Sequence, residues 1–158
     1  YEVWQSNDND RFAKYTLRSV MFEYKPYIKD AYIIHWNNGL WDVTYNDDDD
    51  LNFTSKEEYA TTMLRIADIL LKITPHVIFS TTTPIKPGMP YNKNETIQDY
   101  NAFIAPLLKE KGIIINDLYT PIARDIPNYI RDDDKIHLTE EGIKVAAKQI
   151  ADLIKSIK

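Results

Sequence analysis

The chain has 158 residues, of which 44% are hydrophobic and 12% aromatic, which is enough for one folded domain with a buried core. Its formal net charge of -5 and its scattered cations argue against a nucleic-acid surface, because a phosphate backbone is bound by clustered lysines and arginines. The absence of cysteine excludes disulfides and cysteine metal sites, and no apolar run approaches the roughly 20 residues that span a bilayer. No signal-peptide pattern is visible at Tyr1, so the compartment stays open.

The N-terminal part of the chain alternates between strand-like and helix-like patterns. The segment YEVWQS (1–6) has the composition of a short strand, and apolar residues at helical spacing predict a helix from about Phe12 to Tyr24. The apolar run AYIIHW (31–36) has the length of a buried strand and stops at the turn residues NNG. We therefore expect strand, helix and strand in this order.

The rest of the chain continues the alternation. Its predicted elements are a helix at 54–73, a strand at 76–84, a helix at 94–112, a strand at 112–117 and a closing helix at 140–157. Ser55 and Glu58 form a capping box at the start of the first of these helices. Pro106 should kink the next helix, and Gly112 should end it.

The predicted strands are continuous apolar runs, which are typical of strands buried on both faces. Strands that alternate with helices favour a parallel α/β sheet with helices on both sides, and we expect residues 1–158 to form one such domain. In an open sheet of this kind, ligands bind at the carboxyl ends of the strands. The polar segments that follow the strands are therefore the candidates for a site.

A short acidic segment before the closing helix contains the most specific pattern. Asp134 precedes His137 by three residues, and Thr139 is a plausible N-cap for the helix that follows. A carboxylate at this spacing can accept a hydrogen bond from Nδ1 of the imidazole and leave Nε2 facing a serine hydroxyl. The alternative is that this segment is a solvated turn, which is the usual role of an aspartate run.

Together with IIHWNNGLWD (33–42), the Asp-Lys-Ile-His segment resembles the SGNH (GDSL) hydrolases, especially their carbohydrate-esterase-like branch. The resemblance implies a flavodoxin-like three-layer α/β/α sandwich with a parallel sheet and serine-dependent hydrolysis of esters. It makes Asp134 and His137 two members of a catalytic triad. No metal or organic cofactor is implied, and the expected substrate is an acyl ester of a carbohydrate or a small acyl ester.

A second block of this family, Gly-x-Asn-Asp, supplies an asparagine that donates to the oxyanion. The frame at 39–42 keeps the glycine and the aspartate, but Trp41 stands at the asparagine position. An indole N–H is also a donor, yet the adjacent amides are better placed, so we prefer Asn38, followed by Asn37. Gly39 and Trp41 complete the set of oxyanion or substrate-binding candidates. The alternative is that NNG is only a turn.

The family nucleophile has no counterpart in this sequence. It lies in a Gly-Asp-Ser block at the end of the first strand, and Ser6, the only early candidate, lacks the preceding Gly-Asp. We therefore expect the sequence to begin at the second strand of the family fold, with the serine on an upstream strand and no turnover by these residues alone. A further family loop donates a backbone N–H and corresponds to 7–17, where the role of Asp10 or Arg11 stays open.

The remaining candidate groups have structural interpretations. We interpret His35 as a hydrogen-bonded core histidine, and the run 47–50 as a solvated loop, since it lacks the glycine and the final glutamate of a calcium loop. Three aromatic residues are either core or a sugar-stacking rim: Trp36, Trp41 and Tyr91. The alternative function is a non-catalytic α/β module that keeps a ligand cleft without turnover.

Overall fold

The structure is a computed structural model and describes residues 2–45 and 48–157. Its elements are α1 (Ala13–Phe22), α2 (Lys25–Ile28), β1 (Ile34–Trp36), α3 (Lys56–Leu70), β2 (Val77–Ser80), α4 (Asn94–Glu110), β3 (Ile114–Asn116), α5 (Tyr119–Ala123), α6 (Ile126–Tyr129) and α7 (Glu140–Ser156). Among the described residues, no helix is long and apolar enough to cross a membrane.

The three strands form a parallel sheet in the order β1-β2-β3. Ile34 of β1 is paired with Val77 of β2, and Ile78 of β2 with Ile114 of β3. Parallel neighbours need a crossover, which α3 supplies between the first two strands and α4 between the last two. The predicted parallel α/β sheet is confirmed.

Helices cover the sheet on both faces. Val77 and Phe79 are fully buried in the larger hydrophobic cluster, to which α1, α3 and α4 contribute. Ser80 and Asn116 have their side chains on the opposite face, where Gln149 of α7 donates a hydrogen bond to Asn116 Oδ1 at 2.8 Å. The three-layer α/β/α arrangement follows from these alternating contacts.

The helix boundaries follow the capping residues of the sequence. Ser55 Oγ accepts a hydrogen bond from the backbone N–H of Glu58 at 3.2 Å, and Thr139 Oγ1 caps α7 by accepting from Gly142 N at 3.2 Å. α4 runs through Pro106 to Glu110 without interruption. The reversal after it uses a positive φ of 94° at Gly112.

The prediction of a strand at 1–6 is wrong for residues 2–6, and Tyr1 lies outside the described residues. The segment pairs with no strand in the described part of the chain. Its Trp4 instead packs on the rings of Tyr24 and Tyr27, each with centroids 5.2 Å away. Aromatic contact with the end of α1 and with α2 therefore replaces the expected ladder of hydrogen bonds.

Candidate active site

The loop before α7 brings Asp134 and His137 together. Asp134 Oδ1 accepts hydrogen bonds from the backbone N–H groups of Ile136 and His137, both at 2.9 Å. Its Oδ2 lies 2.9 Å from His137 Nδ1. The two backbone donors, and then the His137 side chain, lower the pKa of Asp134 to about 2. The carboxylate is therefore ionised at neutral pH and can hold the imidazole in its Nδ1–H form.

The imidazole of His137 is presented to solvent. Its side chain is 70% exposed, and within the described residues Nε2 has no hydrogen-bond partner. A bridge between Ile130 and Leu138 closes the loop, and Arg131 N donates to His137 O at 2.9 Å. The ring is thus fixed at Nδ1 and open at Nε2, which is the arrangement that a general base needs.

The amide candidates and the Asp-His loop are attached to the same segment, which follows β2. Thr82 Oγ1 donates to the backbone oxygen of Asn38 at 3.1 Å, at the end of β1. Four residues later, Lys86 N donates to Lys135 O at 2.8 Å, inside the Asp-His loop. No hydrogen bond in the described part of the chain joins Asn38 directly to His137. Both groups therefore lie at the carboxyl end of the sheet, connected through β2.

Asn38 is buried, with 3% of its surface exposed. Its backbone oxygen also accepts from Tyr59 OH at 2.9 Å, while its side-chain Nδ2 lies 3.5 Å from Arg11 O and its Oδ1 has no partner within the described residues. Asn37 instead uses its amide to donate to Ser80 O at 2.8 Å. The side-chain amide of Asn38 therefore makes a longer hydrogen bond than that of Asn37, although it faces the loop at 10–11.

Solved structures with a similar fold are hydrolases. A lipase/acylhydrolase from Enterococcus faecalis has a TM-score of 0.74 and 15% identity, over 92% of this chain and 71% of that chain. A GDSL-like lipase from Bacteroides thetaiotaomicron gives 0.74 and 18% over 94% and 73%. A carbohydrate esterase family 3 structure from Talaromyces cellulolyticus gives 0.65 and 17% over 94% and 70%. The chain has the SGNH/GDSL hydrolase fold. No family model and no curated protein sequence matches it.

In this SGNH fold, the turn after β1 depends on Gly39 and exposes Trp41. Gly39 has φ of +145°, and a Cβ built on it would lie 2.2 Å from Thr82 Oγ1. Trp41 is half exposed, two residues beyond Gly39. The glycine therefore allows β1 and the segment after β2 to approach closely, and the indole lies on the surface beside them.

Asp42, which sequence reasoning left without a role, is a buried carboxylate. Its two oxygens accept from Ala13 N at 3.0 and 3.2 Å, so it caps α1 from outside that helix. Burial raises the pKa of Asp42 to about 6, while hydrogen bonds from Thr54 and Ala13 act in the opposite direction. The sequence pointed to Asp42 only because the 39–42 frame keeps an aspartate at that position. Its hydrogen-bond partner, Ala13 N, becomes visible only in the fold.

The loop at 10–11 offers no uncommitted backbone donor. Both residues have a positive φ, 50° at Asp10 and 35° at Arg11, and their N–H groups donate to the side chains of Asp8 and Asn9. The Asp10 carboxylate accepts from Ser19 Oγ at 2.9 Å and also from Tyr24 OH. Burial raises the pKa of Asp10, against these two hydrogen bonds. The loop therefore contacts Asn38 through its Arg11 carbonyl.

Every serine of the chain has a hydrogen-bond partner other than His137. The pairs are Ser6 with Tyr24, Ser19 with Asp10, Ser55 with Glu58, Ser80 with His35 and Asn116, and Ser156 with Leu153. His35 Nε2 lies 2.6 Å from the fully buried Ser80 Oγ. Desolvation lowers the pKa of His35, although the residue lies on an edge strand and part of it is exposed. The structure therefore makes His35 hydrogen-bonded, as expected, but not a core residue.

The acidic residues that the structure describes outside the Asp-His loop were candidates for a metal centre. Among residues 2–45 and 48–157, no group of three histidine, aspartate or glutamate side chains is arranged to hold an ion. The prediction of a solvated loop at 47–50 rests partly on Asp47, which lies outside the described residues.

Proposed function

We propose that the protein is a serine-dependent ester hydrolase in which Asp134 and His137 form the base pair. The observation that supports this most is the 2.9 Å contact between Asp134 Oδ2 and His137 Nδ1, which leaves Nε2 exposed. It occurs before the last helix of a chain that has the SGNH hydrolase fold. In the proposed reaction, Nε2 removes the proton of a serine hydroxyl as the oxygen attacks the acyl carbonyl.

The same histidine then returns the proton to the leaving alcohol, and a water molecule repeats the sequence to release the acid. Asp134 stays ionised and stabilises the imidazolium that forms in each half-reaction. Asn38 is the proposed side-chain donor to the oxyanion. The reaction requires no metal or organic cofactor.

The nucleophile in this proposal is a serine outside the 158 residues. Its support is that each serine within the chain is hydrogen-bonded elsewhere, and that Ser80, the one already paired with an imidazole, is fully buried. An occluded hydroxyl cannot reach an ester carbonyl. The proposed alcohol is a carbohydrate or another small molecule, which the half-exposed Trp41 beside the β1 turn could contact through its ring.

Hydrolysis of 4-nitrophenyl acetate by the full-length gene product tests the proposal. We expect His137→Ala to lower kcat/KM on the order of a thousandfold, because water cannot replace a base held at this geometry. His76→Ala is the matched control and should leave turnover unchanged, since the His76 ring packs at a tilt against Tyr32 at the other end of β2. Parent-like activity in His137→Ala, with the fold intact, would contradict the assignment.

The second candidate is a non-catalytic module that binds a ligand at the same end of the sheet. The burial of Asn38 and the engagement of every serine favour it over an enzyme made of these residues alone. Full-length protein that binds acylated sugars but does not hydrolyse the acetate ester would select this function.

A further inference from the structure

The Asp134–His137 loop is held together internally, among other contacts by the ion pair of Arg131 with Asp133 and by the hydrogen bond from Arg131 N to His137 O. It spans residues 131–137, and its Lys135 has a positive φ of 66°, a left-handed conformation that is costly for a residue with a side chain. The Asp134 carboxylate organises only the last turn of the loop. These internal contacts do not attach the loop to the sheet, so its position there depends on contacts from another part of the molecule.

Those contacts come mainly from Lys86, which follows β2. Its side chain is only 15% exposed, and Nζ donates to the backbone oxygens of Pro127 and Ile130, each at 3.0 Å. Nζ also lies 2.7 Å from Asp132 Oδ1. An ammonium group has three donors, and here they contact two residues that precede the loop and Asp132 within it.

The backbone of Lys86 reaches the other end of the loop. Lys86 N donates to Lys135 O at 2.8 Å, directly before the turn that carries His137. The side chain of Lys135 in turn donates a hydrogen bond to Gly88 O at 3.2 Å, two residues beyond Lys86. Lys86 thus connects three parts of the loop to the segment after β2: its entry, Asp132 and the left-handed turn at Lys135.

We propose that Lys86 is a positioning residue for His137. The proposal rests on the proposed function in treating His137 as the base. Without the ammonium, the part-buried carbonyl of Ile130 and the exposed carbonyl of Pro127 lose their donor, and the loop is expected to relax away from the segment after β2. The imidazole then loses its fixed relation to Asp134, while the sheet and its helices keep their packing.

Long-range 1H–15N correlation spectra of the full-length protein test this without any substrate. At a pH at which His137 is neutral, the parent is expected to show the Nδ1–H tautomer, because the other nitrogen is free and Asp134 accepts from Nδ1. Lys86→Met should shift His137 to a mixture of tautomers, and Lys86→Arg, which keeps the charge and donors, should restore the parent spectrum in large part.

Asp132→Asn is the matched control, because it removes only the ion pair with a carboxylate that is almost fully exposed. It should leave the tautomer unchanged. If the function holds, Lys86→Met also lowers kcat for the acetate ester roughly tenfold or more, with little change in KM. The tautomer is measured without turnover. An inactive parent would therefore contradict the proposed function, while the effect of Lys86 on His137 could still be tested.

A parent-like tautomer in folded Lys86→Met overturns the proposal. If circular dichroism shows that Lys86→Met does not fold, Lys86→Gln is measured instead, because its amide can still donate to one carbonyl. An unchanged His137 tautomer in folded Lys86→Gln would then be the contradictory result.

Discussion

Asn38 combines a buried position with an incomplete set of hydrogen bonds. Its Oδ1 is unpaired among the described residues, and its Nδ2 makes one long contact, at 3.5 Å, with Arg11 O. Buried amides are normally satisfied, and one that is not is often a group that binds something else. An amide with spare capacity at the end of β1 is well placed to respond when negative charge develops nearby.

Asn38→Ala in the full-length protein is the corresponding prediction. If Asn38 is the oxyanion donor, kcat should fall roughly a hundredfold or more with little change in KM, because the interaction strengthens only as charge develops on the carbonyl oxygen. Steady-state kinetics with an acetate ester measure both constants. Trp41→Phe is the paired control, and a large loss there beside a silent Asn38→Ala would assign the role to the indole.

The two candidate groups differ in how far sequence alone could predict them. The contact between Asp134 and His137 joins residues that are three apart, so their pairing could be predicted from the sequence. The surroundings of Asn38 come from Arg11, Tyr59 and Thr82, which are distant in sequence. The choice of Asn38 over Asn37 therefore stays a prediction.

At the scale of elements, the turn after β1 and the turn after α4 both depend on glycine, but for different reasons. Gly39 has no room for a Cβ beside Thr82 Oγ1, whereas a Cβ on Gly112 would meet nothing within 4 Å. Both have a positive φ. A side chain at either position would thus strain the backbone, but only a side chain at position 39 would also overlap a neighbouring atom.

This difference predicts the stability of two alanine variants. Gly112→Ala should lower the free energy of unfolding by about 1 kcal/mol, the usual cost of a side chain at positive φ. Gly39→Ala should cost roughly 3 kcal/mol or more, since the overlap with Thr82 adds to the strain. Urea unfolding followed by circular dichroism gives both values. Equal losses would show that the β1 turn has room to adjust.

The sequence predicted the long helices well and the short elements poorly. α3 and α7 begin at Ser55 and Thr139 as expected, because a capping side chain acts on its own first turn. α2, α5 and α6 have four or five residues each, too few for a periodic pattern, although Pro26 and Pro127 mark two of them. The strand expected at 1–6 failed because its composition says nothing about a pairing partner.

At the scale of the whole molecule, two features leave apolar or backbone groups uncovered. Ile143 of α7 is 54% exposed, and in the described part of the chain β1 is paired on one side only. The similar solved structures are longer, since this chain covers 70% to 73% of each. A serine-bearing strand beside β1, as the proposed function requires, would meet an edge that is open to pairing.

The pH dependence of folding should have two limbs with opposite signs. The folded-state pKa of Asp134 is lowered to about 2 from an ordinary 3.8, so its stabilising contribution is present above pH 3.8 and is lost as the pH falls toward 2. Asp42 acts in reverse, because its pKa is raised to about 6. Its contribution favours the folded state below pH 3.8 and is lost as the pH rises through 6.

Asp42→Asn isolates the second limb. In the parent, the free energy of unfolding should fall by roughly 2 to 3 kcal/mol between about pH 4 and pH 7, as a buried carboxylate next to Glu58 becomes ionised. Asparagine keeps an acceptor for Ala13 N but cannot ionise, so the variant should lose this fall. The slopes that remain come from Asp10, whose raised pKa lowers stability as the pH rises, and from His35, whose lowered pKa acts in the opposite direction. Urea unfolding at pH intervals measures the slope for each protein. Asp152→Asn is the control. It alters an exposed partner of Lys148 and should keep the parent slope. A parent-like slope in Asp42→Asn would show that the buried carboxylate is not the source of the pH dependence.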